Sequence, residues 1–240
     1  MTIRKFALGV FLALALIACS DNSPPAATPP AAATGTAEHP EGIIVAMGDS
    51  LTAGYGVDED EAWPALLEAR LQADGRRWQV VNAGISGETS SGARSRLDWV
   101  LERLKPDLVI LTTGANDGLR GIDPNVVEEN LLAMVRQLQT RGVVTIIGGM
   151  KMVGNLGSGY TERFAAVYPS VAEATGAPLI PFFLEGVAAD PRYNLADGIH
   201  PNAAGYRRIV ERIYPTVAEA VDEAARRGHR RQPLQTGLDY

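Results

Sequence analysis

Cysteine occurs once in the 240 residues, at Cys19. A single thiol closes no disulfide within the chain and builds no thiolate metal site. Positive charge is also short: 22 Lys and Arg stand against 28 Asp and Glu, for a formal net charge of −6. That balance argues against the broad basic surface that nucleic-acid binding requires. The chain has neither a Gly-x-Ser-x-Gly elbow nor a His-Glu-x-x-His helix, which removes two common hydrolase designs. Histidine is scarce, three in all.

The apolar run from Phe6 to Ala18 follows Arg4 and Lys5. It has the form of a signal peptide and is short for a membrane span. The run ends in Leu16-Ile17-Ala18-Cys19, which resembles the lipobox of bacterial lipoproteins. That resemblance implies cleavage after residue 18, a lipidated Cys19 and an anchor in the bacterial cell envelope, facing the periplasm. Ser20, standing where an aspartate would favour inner-membrane retention, implies sorting to the outer membrane. Residues 19–40 are rich in Pro, Ala and Thr with almost no large apolar side chain, and read as a flexible tether. Residues 41–227 have the size of one domain. Residues 228–240 are polar and aperiodic and read as a loose tail. The basic cluster at 226–231 is either a solvated surface or a contact for anionic head groups.

Within the domain, strand-like runs at 43–47, 78–82, 108–112, 143–147 and 178–180, the first of them apolar and β-branched, alternate with helical patterns. The helices are expected at 62–72, 91–104, 124–140 and 161–175, with a last one from Pro201 to about 225. Strict alternation predicts an α/β fold, a three-layer flavodoxin-like sandwich with a five-stranded parallel sheet and helices on both faces. The acidic run 58–61 is expected to decorate the start of the 62–72 helix rather than to hold a cation.

In such sheets chemistry gathers at the carboxyl ends of the strands. Ser50, in Gly48-Asp49-Ser50-Leu51, follows the first strand and reads either as a helix N-cap or as a nucleophile. His39 and His229 fall outside the domain, so His200 alone can serve a serine as proton acceptor. Asp197, three residues earlier with Gly198 between, has the spacing to reach the imidazole in a tight turn. Pro201 suits the first position of the following helix. The second and third strands are followed by loops containing Gly87 and Asn116, whose amides are candidate donors to an oxyanion. With strand order 2-1-3-4-5, Ser50, Gly87 and Asn116 become neighbours. Met150, Met152, Val153, Leu156, Phe182 and Phe183 are either lining for an acyl groove or ordinary core.

The blocks Gly48-Asp49-Ser50-Leu51, Gly87, Gly114-Ala115-Asn116-Asp117 and Asp197-Gly198-Ile199-His200 resemble the SGNH, or GDSL, hydrolase superfamily. Trp63-Pro64-Ala65-Leu66-Leu67, Asn116-Asp117-Gly118-Leu119-Arg120-Gly121, Tyr168-Pro169 and Pro181-Phe182-Phe183 are similar to its branch of bacterial acyl-CoA thioesterase I, lysophospholipase and arylesterase. The resemblance implies a serine esterase with Ser50 as nucleophile and first oxyanion donor. Gly87 and Asn116 would be the other donors, His200 the base and Asp197 its partner. Asp49 would support the turn. No metal or cofactor is implied, and the substrate would be a small acyl ester, with lysophospholipids and thioesters in reach. Residues 149–157 resemble the arylesterase relatives more than the thioesterase type. The competing readings are a carbohydrate O-deacetylase acting on an envelope glycan and a catalytically silent binding lipoprotein.

Overall fold

A computed structural model describes residues 39–152 and 156–231. The run read as a signal peptide, Cys19, most of the segment read as a tether and Val153 lie outside the described residues. Five parallel strands form one sheet in the order β2-β1-β3-β4-β5. They are β1 (Gly42–Gly48), β2 (Trp78–Gly84), β3 (Leu108–Thr112), β4 (Val144–Gly148) and β5 (Leu179–Ile180). Strands β3 and β4 are buried throughout, as expected of central strands covered on both faces.

Three short helices begin just beyond strand ends: α1 (Ser50–Ala53), α3 (Ser90–Ser95) and α5 (Ala115–Leu119). The longer ones are α2 (Trp63–Ala73), α4 (Leu97–Leu104), α6 (Pro124–Thr140), α7 (Ser158–Thr175) and α8 (Ala203–Arg231). Helix α2 packs with α8, and α6 packs with α3 and α7. Right-handed crossovers put these two groups on opposite faces of the sheet. Among the described residues no helix is long and apolar enough to cross a membrane.

The acidic run forms its own 3-10 turn, Glu59–Glu61, ahead of α2. Helix α6 has the predicted bounds, with Asp123 capping and Pro124 in its first turn. The helix expected at 91–104 is instead two. It breaks at Arg96, whose backbone lies at φ −103°, ψ 2° and whose guanidinium turns onto Glu88 and the Ala83 carbonyl. The last helix runs to Arg231, so the segment expected to be loose from 228 begins as helix. Glu223 accepts from both Arg226 and Arg227 at 2.8 Å, pairs that suit consecutive helical turns.

Packing at the carboxyl edge of the sheet brings α1 down onto β1. A Cβ on Gly48 would lie 2.3 Å from Thr112 Oγ1 and 2.4 Å from Thr52 Oγ1, so only glycine fits. The two threonine hydroxyls meet there at 2.5 Å, joining α1 to the end of β3. Trp63 and Phe183 pack edge to face at 5.4 Å, joining the start of α2 to the segment after β5.

Candidate active site

Ser50 stands at the first position of α1. Asp49 caps that helix, its Oδ1 accepting from the Leu51 N–H at 3.0 Å. Asp49 is fully buried, and desolvation raises its pKa to about 6. The Leu51 N–H, the charge of His200 and the Asn116 amide pull the other way without offsetting burial.

Asp197 and His200 arrive on a turn that is tied at several points. Asp197 Oδ1 accepts from the N–H groups of Ile199 at 2.9 Å and His200 at 3.0 Å. Its Oδ2 lies 2.7 Å from His200 Nδ1. The two backbone donors, then the imidazole, hold its pKa at about 2. Pro201, expected at the first helical position, instead pairs with Asn194 in an antiparallel bridge. Asn202 Oδ1 accepts from the Gly205 N–H at 3.0 Å, and α8 starts one residue after Asn202. Asn194 is buried and its Nδ2 donates to Val187 O at 2.6 Å.

Across 150 residues, His200 Nε2 lies 3.0 Å from Ser50 Oγ. With Nδ1–H donated to the carboxylate, Nε2 presents its lone pair to the hydroxyl, the tautomer assigned from this network. Proton transfer between Ser50 and His200 needs no rearrangement of the main chain.

Asn116 lies on α5. Its Nδ2 donates to Glu88 O at 3.1 Å and to Asp49 Oδ2 at 3.3 Å. Gly87 therefore joins the cluster through its neighbour Glu88. Its φ of +80° is a conformation that glycine adopts without strain. The Gly87 carbonyl accepts from Arg120 Nη2 at 2.9 Å. All five residues expected at the site are thus drawn to one edge of the sheet.

Several supporting residues carry no role in the sequence reading. Glu88 is held by Arg96 through bonds of 2.6 and 2.7 Å. Buried Asp117 accepts from Ser90 N at 2.8 Å and Ser90 Oγ at 2.7 Å, which joins the loop after β2 to the loop after β3. Asn130 on α6 donates to the hydroxyls of Ser90 and Ser91. Asp117 adjoins Asn116 in a motif already noted, whereas nothing local marks Asn130. Tyr55, in the turn that follows α1, tilts against His200 with ring centroids 4.6 Å apart.

The groove residues divide. Met150 and Phe183 are each 2% exposed and belong to the core. Met152 is half-buried, filling the space a side chain at Gly118 would need. Phe182 is half-buried beneath Lys151 Nζ, and Leu156 is exposed.

The model of the GDSL-like Lipase/Acylhydrolase family matches residues 46–208. Esterase TesA of Pseudomonas aeruginosa is 41% identical over 174 residues, 72% of this chain and 87% of that protein. The arylesterase of Vibrio mimicus is 37% identical over 168 residues, 70% of this chain and 84% of that protein. A crystal structure of TesA superposes with a TM-score of 0.72 at 40% identity, covering 74% of this chain and 99% of that one. The chain belongs to the GDSL-like lipase/acylhydrolase family and is a serine hydrolase of its SGNH type.

Proposed function

We propose that the protein hydrolyses carboxylic esters by two-step acyl transfer, with Ser50 as nucleophile, His200 as general base and Asp197 as its partner. The observation that carries this reading is the unbroken line from Asp197 Oδ2 through the imidazole to Ser50 Oγ, at 2.7 and 3.0 Å. Ser50 Oγ attacks the ester carbonyl as His200 Nε2 takes its proton. The backbone N–H groups of Ser50 and Gly87 and the side-chain amide of Asn116 then hold the oxyanion. The proton passes to the leaving alcohol, and water repeats the sequence on the acyl-enzyme.

Aryl esters and short- to medium-chain acyl esters are the proposed substrates, on the analogy of the arylesterase and esterase relatives. Half-buried Met152, packed at Gly118 two residues from Asn116, suits an apolar acyl group better than a sugar. The lipobox-like sequence at Cys19 supports a lipid-anchored enzyme of the bacterial envelope, facing the periplasm, with outer-membrane sorting favoured by Ser20. Several acyl chains, unlike one, anchor a protein firmly.

Hydrolysis of phenyl acetate, a decanoyl ester and acetyl-xylan, measured side by side, tests the reading. The two simple esters should be turned over, and Ser50→Ala should lower kcat by about 10⁴–10⁶-fold. A loss below tenfold, or a preference for acetyl-xylan, contradicts it.

A further inference from the structure

We infer that Tyr55 selects the alcohol part of the ester, its ring forming the surface on which a planar, aromatic leaving group lies as it departs. This rests on the reading of Ser50 and His200 given above and extends it to substrate class.

The backbone holds Tyr55 in place. Its N–H donates to Ser50 O at 3.1 Å, and it stands between Gly54 and Gly56, both at φ +80°. A Cβ on Gly56 would lie 2.4 Å from Leu195 Cδ1, so this turn packs against the segment that delivers Asp197 and His200. Tyr55 is 54% exposed as a residue, and its ring meets the imidazole at 4.6 Å and 42°. One part of the ring therefore contacts His200 while the rest is open.

The chemistry says what comes to that open surface. In the first step the Ser50 Oγ–carbon bond forms and the bond from carbon to the leaving oxygen breaks. The proton that His200 Nε2 removed from Ser50 is delivered to that oxygen. The leaving oxygen must therefore come within hydrogen-bond reach of Nε2, the atom 3.0 Å from Ser50 Oγ. Whatever the oxygen carries extends from the imidazole edge, and Tyr55 supplies an exposed apolar ring beside it. A flat group can stack on that ring, whereas a puckered or branched one can offer only part of its surface. The acyl group is attached through a different bond, so chain-length preference is not set by Tyr55.

The test compares benzyl acetate with cyclohexylmethyl acetate, whose alkoxides are alike in size and basicity and differ in planarity. Both give the same acetyl-enzyme, so their kcat/KM values differ only in the first step. Tyr55→Leu should lower kcat/KM for benzyl acetate by about three- to tenfold, the size of an aromatic pair. It should change cyclohexylmethyl acetate by less than about twofold on the same reasoning. Tyr55→Phe should keep the wild-type ratio, and the pH profile should not move in either variant. Equal losses on both esters, or a shifted pH profile, would mean that Tyr55 acts only through His200 and would overturn the inference. An unchanged ratio in Tyr55→Leu would overturn it too. Failure of the unaltered protein to hydrolyse either ester would instead defeat the esterase reading itself, and this inference with it.

Discussion

The carboxylate of Asp49 and the side-chain amide of Asn116, 67 residues apart in sequence, meet at 3.3 Å beneath the site, where Asp49 is fully buried. Burial raises the Asp49 pKa from 3.8 to about 6. The folded protein therefore holds this proton where the unfolded chain has released it. Stability is lost as pH rises through that window, from about 4 to about 6. A shift of about two units corresponds to roughly 3 kcal/mol. In Asp49→Asn this loss is absent. Unfolding in urea at pH 4 and pH 7 should show the variant gaining on the parent by a few kcal/mol between the two. Its kcat should fall about tenfold, because Asn116 loses a charged acceptor that orients it. A variant whose stability relative to the parent does not change with pH would show that Asp49 is not the buried acid described.

Arg96 and Glu88 form an ion pair with little solvent around it, their side chains 16% and 7% exposed. Removing one partner leaves a charge without compensation. Arg96→Met is expected to cost about 3–5 kcal/mol in chemical denaturation, as for other broken buried pairs. Adding Glu88→Gln should recover a large part of that loss. A single variant within about 0.5 kcal/mol of the parent would mean that the pair carries no net energy.

Gly87 and Gly75 both have positive φ, +80° and +76°, and neither would meet a close obstacle if given a Cβ. Alanine at either position should cost about 1–2 kcal/mol for the left-handed backbone. Gly75 lies in the turn before β2, remote from Ser50, and Gly75→Ala should keep its kcat. Gly87→Ala keeps its N–H but strains the φ of +80° that aims it, and should lower kcat by about tenfold or more, up to the roughly 10²-fold scale of a lost oxyanion donor. Equal kcat values in the two variants would contradict the claim that the left-handed backbone at Gly87 aims an oxyanion donor.

Much of this architecture is legible in the chain because its signals are local. Residues 108–112, four aliphatic side chains followed by Thr112, form the strand they predict. Asp123-Pro124 marks the start of α6 without help from the rest of the fold. The strand order taken with the flavodoxin-like arrangement is the one found, and it sets Asp49, beside Ser50, against Asn116. What escapes the sequence depends on distant partners. The break at Arg96 goes with a side chain that reaches Glu88, a contact no helical pattern encodes. The helix expected to begin at Pro201 begins at Ala203 behind the Asn202 cap, and Pro201 pairs with Asn194 instead. Phe183 looks equally suited to groove and core until Trp63 is found against it.

Covalent labelling with a fluorophosphonate tests the central claim most directly. The reagent requires a serine whose proton can be taken in place, so it reports nucleophile and base together. Mapping of the labelled peptide should put the phosphonyl group on Ser50, and His200→Ala should abolish the reaction. A label on another serine, or a rate at Ser50 unaffected by loss of His200, would contradict the account. The physical claim at stake is that a hydroxyl and an imidazole 150 positions apart share one proton.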